Sequence, residues 1–353
     1  MLLTPSRRLD TPTPPQALAE APPEANAAAI PAGSDPAFLA DVLRGLSQAE
    51  KAIPARWFYD MHGSQLFEAI TQVPEYYPTR TETALLEAHC AQVAERVGTD
   101  ATVVEFGSGS SIKTRILLKA MPRATYVPID ICGEFLDEAC ESLQAQFPHL
   151  RIMPVEANFL EPVNLPLQRA SAGAGETVLG FFPGSTIGNM TAAASVDLLR
   201  SMRDTLGAAG GGHAYLLIGI DRVKDPARLV AAYDDAQGVT ALFNLNLLQR
   251  INRELGGTIP VSEFRHVARW NEHASRIEMH LEARRAVRFE VAGQAFHMDG
   301  GETIHTENCH KYRPREMRLL LAAAGWGELQ HWTDPAGDFS LVLARADAER
   351  QTP

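Results

Sequence analysis

The pattern between positions 102 and 220 constrains the fold more than any other feature of the chain. Short apolar runs at 102–106, 125–129, 151–155, 177–182 and 213–220 are interleaved with helical patterns at 112–121, 134–147 and 191–206. Strands separated by helices of this length cannot pair as hairpins. They need crossover connections, which produce a parallel sheet covered on both faces. A doubly wound α/β domain is therefore predicted. The chain has 353 residues, 45% hydrophobic and 21% charged, enough for one large domain or two moderate ones.

After position 220 the alternation breaks. Helical patterns at 226–233 and 239–254 are followed by alternating segments at 263–270, 276–281 and 286–291, which predict an inserted α+β unit. The chain then carries a helix over 314–324 and two strands, 329–332 and 339–344, joined through Asp334-Pro335-Ala336-Gly337, a hairpin that closes the sheet. Upstream, Thr79-Arg80-Thr81-Glu82 has capping-box spacing and predicts the start of a long helix. Residues 1–34 are dominated by Ala, Pro and Thr and are expected to form a disordered tail, with structure beginning near the periodic stretch 38–46.

Net charge is -11, so no basic face is available to neutralise a phosphate backbone, and nucleic acid is not an expected partner. Cys90, Cys132, Cys140 and Cys309 form no CxxC pair, which argues against a disulfide scaffold and a structural zinc site. His305 and His310 fall in no recognised ligand spacing, and no metal is expected. No apolar run approaches the roughly 20 residues that cross a bilayer. The expectation is a soluble, cytoplasmic, monomeric protein acting on a small molecule without a membrane.

Two loops carry the chemistry. In VVEFGSGSSIKTR, Glu105, Gly107, Ser108 and Gly109 lie on the turn from the first strand to its helix, where glycines allow close backbone approach and a helix N-terminus offers free N–H groups. Asp130, ending the next strand, is placed to accept hydrogen bonds from ribose hydroxyls. Ile112 stands where a dinucleotide fingerprint needs its third glycine, which disfavours an NAD-dependent oxidoreductase. With the C-terminal antiparallel hairpin, a Rossmann-like S-adenosylmethionine fold is the better account. The second loop, FFPGSTIGN at 181–189, follows a buried strand with Pro, two Gly, Ser, Thr and Asn before the next helix. In an open parallel sheet that is where ligands bind.

The chain resembles the histidine-specific N-alpha-methyltransferase family, S-adenosylmethionine enzymes that form hercynine for ergothioneine biosynthesis. The resemblance rests on RWFYDMHGSQLFEAITQVPEYYPTRTE, EFGSGSSIKTR, FFPGSTIGN and TENCHKY, and spans roughly residues 39–346. It implies a class I methyltransferase domain (81–221 plus 312–346) and an α+β domain for the amino acid (35–80 plus 222–311). It implies cofactor contacts at Gly107, Lys113 and Asp130, with Asn158 and Phe159 at the adenine. Amino acid contacts are implied at Tyr76, Gly184, Asn189 and Tyr233, with Tyr59 and Asn189 beside the methylated amine and Met279, Glu307 and Cys309 facing the side chain. Asn158 stands where the family usually has Asp and keeps an acceptor oxygen. Cys309 stands where it usually has Ser, and a thiol is the weaker donor. That departure motivates the alternative that another aromatic amino acid or a histidine derivative is the substrate. Taken singly, the three tyrosines and Met279 also read as core residues, Lys113 as a solvated charge and Asn189 as a helix cap. Their joint occurrence carries the functional reading.

Overall fold

The computed structural model describes Pro31 and residues 33–109, 112–161, 163–166, 177–210 and 213–346. Residues 1–30 of the expected tail lie outside the described residues. The larger sheet has eight strands. From one edge it runs Trp326–Thr333, Phe339–Ala346, His213–Asp221, Thr177–Phe182, Thr102–Phe106, Thr125–Asp130 and Arg151–Ile152, and Val155–Glu156 also pairs with Thr125–Asp130. Pairing is parallel from His213–Asp221 outward to Arg151–Ile152, and Phe339–Ala346 is antiparallel to both its neighbours. The doubly wound sheet and its closing hairpin are as expected. The one strand expected at 151–155 is two short ones, with Met153 and Pro154 between them; proline cannot donate to a ladder.

The central strands are buried on both faces because each face is covered by helices. Val104, Val178 and Leu216 pack with Leu199 and Met202 of helix Ala192–Gly210 and Leu321 of helix Pro314–Ala323. Val103, Leu179 and Leu217 pack with Leu86 and Val93 of helix Tyr77–Val97 and Leu117 of helix Ile112–Ala120. Chain order reverses where Thr102–Phe106 meets Thr177–Phe182, which opens the crevice typical of such sheets at the ends of those two strands.

A third core lies apart from these two, built from helices Pro36–Leu46, Met61–Ile70, Pro226–Tyr233 and Val239–Leu255 on a four-stranded sheet of order Lys51–Ala52, Thr303–His310, Arg276–Ala283, Phe264–Asn271. Helix Met61–Ile70 and strands Gln294–Met298 and Thr303–His310 are additions to the sequence reading. The strand Thr303–His310 hides in TIHTENCH because its polar residues mask the period. A register shift between His305 and Glu307 makes it a bulged strand. Ile304, Thr306, Glu307 and Cys309 are all buried, so the extra residue turns Glu307 and Cys309 onto the side that simple alternation would deny them.

The expected capping box at 79–82 is not formed. Helix Tyr77–Val97 starts earlier, with Pro78 in its first turn, and the Thr81 hydroxyl donates back to the Tyr77 carbonyl at 3.0 Å. Glu82 is fully buried and faces a distant loop instead.

Glu105 is also buried rather than presented to the glycine turn: its carboxylate accepts from the Thr114 and Tyr126 hydroxyls. It ties strand, helix and neighbouring strand together beneath the turn. Burial pushes its carboxyl up to about 8 despite those two donors. Because the folded value lies above the unfolded one, its contribution to stability is complete at acid pH and is lost as pH rises through about 8. Glu105→Gln should therefore gain stability relative to wild type between about pH 4.5 and 8. Denaturant titrations across that range measure this, and a constant difference would contradict it.

Candidate active site

The site is assembled from two loops at the crevice and one bulged strand opposite. Gly107 has φ +77, and a Cβ there would lie 3.3 Å from the Phe159 ring, so the backbone and the ring form one close-fitting wall. Phe159 is held edge-on to Phe182 at 5.7 Å and Phe106 at 6.5 Å. Asp130 uses one carboxylate oxygen to accept the Gly109 N–H at 3.0 Å and the other to accept the Cys132 N–H at 3.2 Å. Asn158 accepts the Leu160 N–H at 3.1 Å through its side-chain oxygen.

The second loop is clamped at both ends of its turn. The Gly184 N–H donates to both oxygens of Glu82, at 2.8 and 3.1 Å, from 102 positions away. Glu82 can reach it only because Gly219 lacks a side chain: a Cβ there would lie 1.8 Å from its carboxylate. Ser185 takes the left-handed conformation, φ +57, and its hydroxyl accepts the Asp221 N–H at 2.9 Å. The chain then makes a tight turn over Thr186–Asn189, and Thr191, not Asn189, caps the following helix by accepting the Ala194 N–H. Asn189 is thereby free to donate its amide to Glu307 at 3.0 Å.

Two cavities meet at that hydrogen bond. The larger, of about 710 Å³, has Gly107, Gly109, Asp130, Asn158 and Phe159 on its sheet side. The smaller, of about 50 Å³, is lined by Tyr76, Gly184, Tyr233, Met279 and Cys309. Tyr59, Phe67, Thr186, Asn189 and Glu307 belong to both. Twelve of the thirteen residues that the resemblance implied thus line one cavity or the other. Lys113 lines neither; its ammonium pairs with Glu82 at 2.5 Å, beside Gly184. Glu82, Thr186 and Phe67 escaped the sequence reading. Glu82 carried a misleading signal, since its T-x-x-E spacing matches a cap.

Burial sets the protonation of the smaller cavity. Desolvation raises the Tyr59, Tyr76 and Tyr233 phenols well above their ordinary range, so all three are neutral hydroxyls. It pushes Glu307 up to about 7, against the opposing influence of Lys311 and the Asn189 hydrogen bond. The Cys309 thiol is raised as well, chiefly by burial, and stays protonated. Among the described residues no cluster of His, Cys, Asp and Glu could hold a metal ion, and no helix is long and apolar enough to cross a membrane.

A doubly wound sheet with an antiparallel closing hairpin, a carboxylate at the end of its second strand and a glycine turn against an aromatic ring defines an S-adenosylmethionine-dependent methyltransferase. The lining of the larger cavity fits that cofactor in kind: a carboxylate at the end of the second strand, an aromatic ring and an amide side chain. The profile of the histidine-specific, S-adenosylmethionine-dependent methyltransferases matches residues 38–346. The chain is 44% identical over 311 residues to the histidine N-alpha-methyltransferase of Mycolicibacterium smegmatis, covering 86% of this chain and 93% of that one. It is 42% identical over 321 residues to the same-named protein of Mycobacterium tuberculosis, covering 88% and 97%. It is also 27% identical over 290 residues to ergothioneine biosynthesis protein 1 of Neurospora crassa, covering 80% of this chain and 32% of that longer protein. The chain belongs to the histidine-specific, S-adenosylmethionine-dependent methyltransferase family.

The wall at Gly107 gives a direct test. Gly107→Ala adds a methyl group against Phe159 at a left-handed position, so cofactor affinity should fall by roughly tenfold or more while the fold persists, at a conformational cost of about 1 kcal/mol or more. Calorimetric titration with S-adenosylmethionine beside a thermal melt measures both; unchanged affinity would show that the wall does not contact the cofactor.

Proposed function

We propose that this enzyme methylates the α-amine of L-histidine three times, giving hercynine for ergothioneine biosynthesis. The observation that carries the proposal is the meeting of a cofactor-sized and a side-chain-sized cavity at Asn189 and Glu307. The names of the relatives and the family support the substrate. The proposal divides the chain into a cofactor-binding part, 81–221 plus 312–346, and an amino-acid-binding part, 35–80 plus 222–311. Gly107, Asp130, Asn158 and Phe159 hold the cofactor. Lys113 acts on it indirectly, by pairing with the Glu82 that fixes the Gly184 loop.

When bound, S-adenosylmethionine supplies a methyl group on a sulfonium, ready for in-line displacement. The protein's task is orientation and exclusion of water. The attacking amine must be neutral, with its lone pair aimed at the larger cavity. Asn189 and the Gly184 loop orient it, and the neutral Tyr59 hydroxyl offers it an oxygen acceptor. No strong base is needed, because the amine loses its proton to solvent through the larger cavity. As methyl groups replace N–H groups, hydrogen bonds to the nitrogen disappear and a permanent cation forms. The Tyr59 and Tyr76 rings still attract that cation, by about 0.5 to 2 kcal/mol. Tyr59 is itself braced edge-on by Phe67 at 5.9 Å and Phe243 at 5.8 Å.

In the smaller cavity Glu307 accepts the imidazole N–H, with Met279 and Cys309 facing the ring and Tyr233 among the amino acid contacts. A ligand without that N–H leaves a buried carboxylate unpaired, at a cost of about 1 to 3 kcal/mol or more. Discrimination therefore rests on Glu307 more than on the thiol, which offers only a weak donor.

Purified protein incubated with S-adenosylmethionine and histidine, tryptophan or tyrosine in turn should add one, two and then three methyl masses to histidine. Unmodified histidine beside a methylated competitor would overturn the substrate assignment in favour of another aromatic amino acid. Glu307→Ala should weaken histidine binding by about tenfold or more while cofactor affinity stays within about twofold; equal losses would make Glu307 structural. Since Glu307 is the stronger acceptor when ionised, histidine affinity in wild type should rise as pH climbs through about 7. Glu307→Gln should flatten that step, and a persistent step would assign it to another group.

A further inference from the structure

Behind the smaller cavity lies a buried charge cluster with which the methyl transfer itself has no dealings. Lys311, completely enclosed, donates to Asp221 at 2.8 Å, to the Tyr233 hydroxyl at 2.9 Å and to the Cys309 sulfur at 3.1 Å. Asp221 is equally enclosed and is shared with Lys224 and with the Tyr77 hydroxyl, which donates to it at 2.7 Å. Lys224 also donates to the Tyr77 oxygen at 2.6 Å. Asp338, a further carboxylate that acts on Lys224, is paired with Arg228 at 2.5 Å. Lys113 and Glu82 neutralise each other. Two ammoniums thus share one carboxylate beneath the cavity floor. Burying an unbalanced charge is costly unless a partner arrives.

Glu307 answers that charge only from a distance: Lys311 opposes the rise of its carboxyl, but among the described residues neither ammonium donates to it, and its hydrogen bond comes from Asn189. An α-amino acid brings a second carboxylate, and a plain amine does not. The route to it runs through Tyr233. Because Lys311 donates to the Tyr233 oxygen, the phenol's own hydrogen is left to give. Its neighbour at 2.8 Å is the Cys309 thiol, which can donate to or accept from the phenol and in either role is a weak partner that a carboxylate oxygen would outcompete.

We propose that Lys311, acting through the Tyr233 hydroxyl, is the positioning residue that makes the cavity require an α-carboxylate on the amine it methylates. The inference rests on the histidine reading and adds to it: histidine is selected at both ends, the ring by Glu307 and the carboxylate by the buried charge of Lys311. Decarboxylated and carboxylate-capped analogues, histamine and L-histidine amide, are rejected because they leave that charge uncompensated.

The test uses the full chain as wild type, Lys311→Met and Lys311→Gln, with histidine, histamine and L-histidine amide. Turnover is read by mass, and inhibition constants are measured for analogues that turn over too slowly. In wild type, histidine should bind about ten- to a hundredfold more tightly than either analogue. Both variants should raise the histidine KM by a similar factor, about ten- to a hundredfold, with kcat changed by no more than about threefold and histamine binding unmoved, so that the discrimination collapses. Parallel loss of histidine and histamine binding would mark Lys311 as merely structural and overturn the proposal. So would discrimination that survives in the variants. If neither variant folds, the wild-type series decides, and L-histidine amide binding as tightly as histidine overturns it. A wild type that methylates no histidine would instead overturn the substrate reading, which keeps the two failures distinct.

Discussion

The hydrogen bond from Asn189 to Glu307 is the contact on which the site depends. It joins a loop of the eight-stranded sheet to a strand of the four-stranded one, and the two cavities adjoin there. Neither partner would reach the other unaided. Asn189 arrives because Glu82 holds the Gly184 N–H and Ser185 accepts from Asp221, which together fix the loop's turn. Glu307 arrives because a bulge adds one residue to its strand and reverses the facing of everything after Thr306. Thr306 itself is held by bonds to Asn244 and to the Met279 carbonyl, so the bulge is braced.

This construction separates the two demands of methyl transfer. The larger cavity is open and roomy, shaped by backbone and by a ring that requires a glycine opposite it. The smaller is narrow and almost fully desolvated. Low local polarity makes each of its few polar groups consequential, since an unpaired group there costs far more than in water. That is why burial moves Glu307 to about 7 and keeps three tyrosines neutral. A carboxylate poised near neutrality suits a ligand whose own ring titrates nearby, with an ordinary value of about 6.5.

The departures from the family pattern have different weights. Asn158 keeps the acceptor oxygen and the place of the usual Asp, at the rim of the larger cavity. Cys309 sits in a network with Tyr233 and Lys311, where its sulfur accepts weakly and so leaves the phenol available. A serine hydroxyl would compete for that phenol more strongly, which makes the thiol compatible with amino acid binding even though it is a poor donor to a ring.

Much of this was legible in the sequence. The alternation of apolar runs and helical patterns dictates a parallel doubly wound sheet, because buried strands joined by helices have no other way to satisfy their backbone. The positions of GSG and FFPGSTIGN at strand ends announce ligand loops for the same topological reason. What the sequence could not display were features made by residues far apart in the chain. Glu82 looks like a helix cap until the fold brings Gly184 and Gly219 to it, and Lys113 looks solvated until Glu82 is seen beside it. TIHTENCH shows no clean period because a bulge interrupts it. The sequence alone determined the sheet and the cofactor turn, since local patterning encodes them, and its resemblance to a known family supplied the candidate residues. Only the tertiary structure decided which way Glu307 faces and what lies beneath the cavity at Lys311, because register and charge balance depend on partners from separate elements.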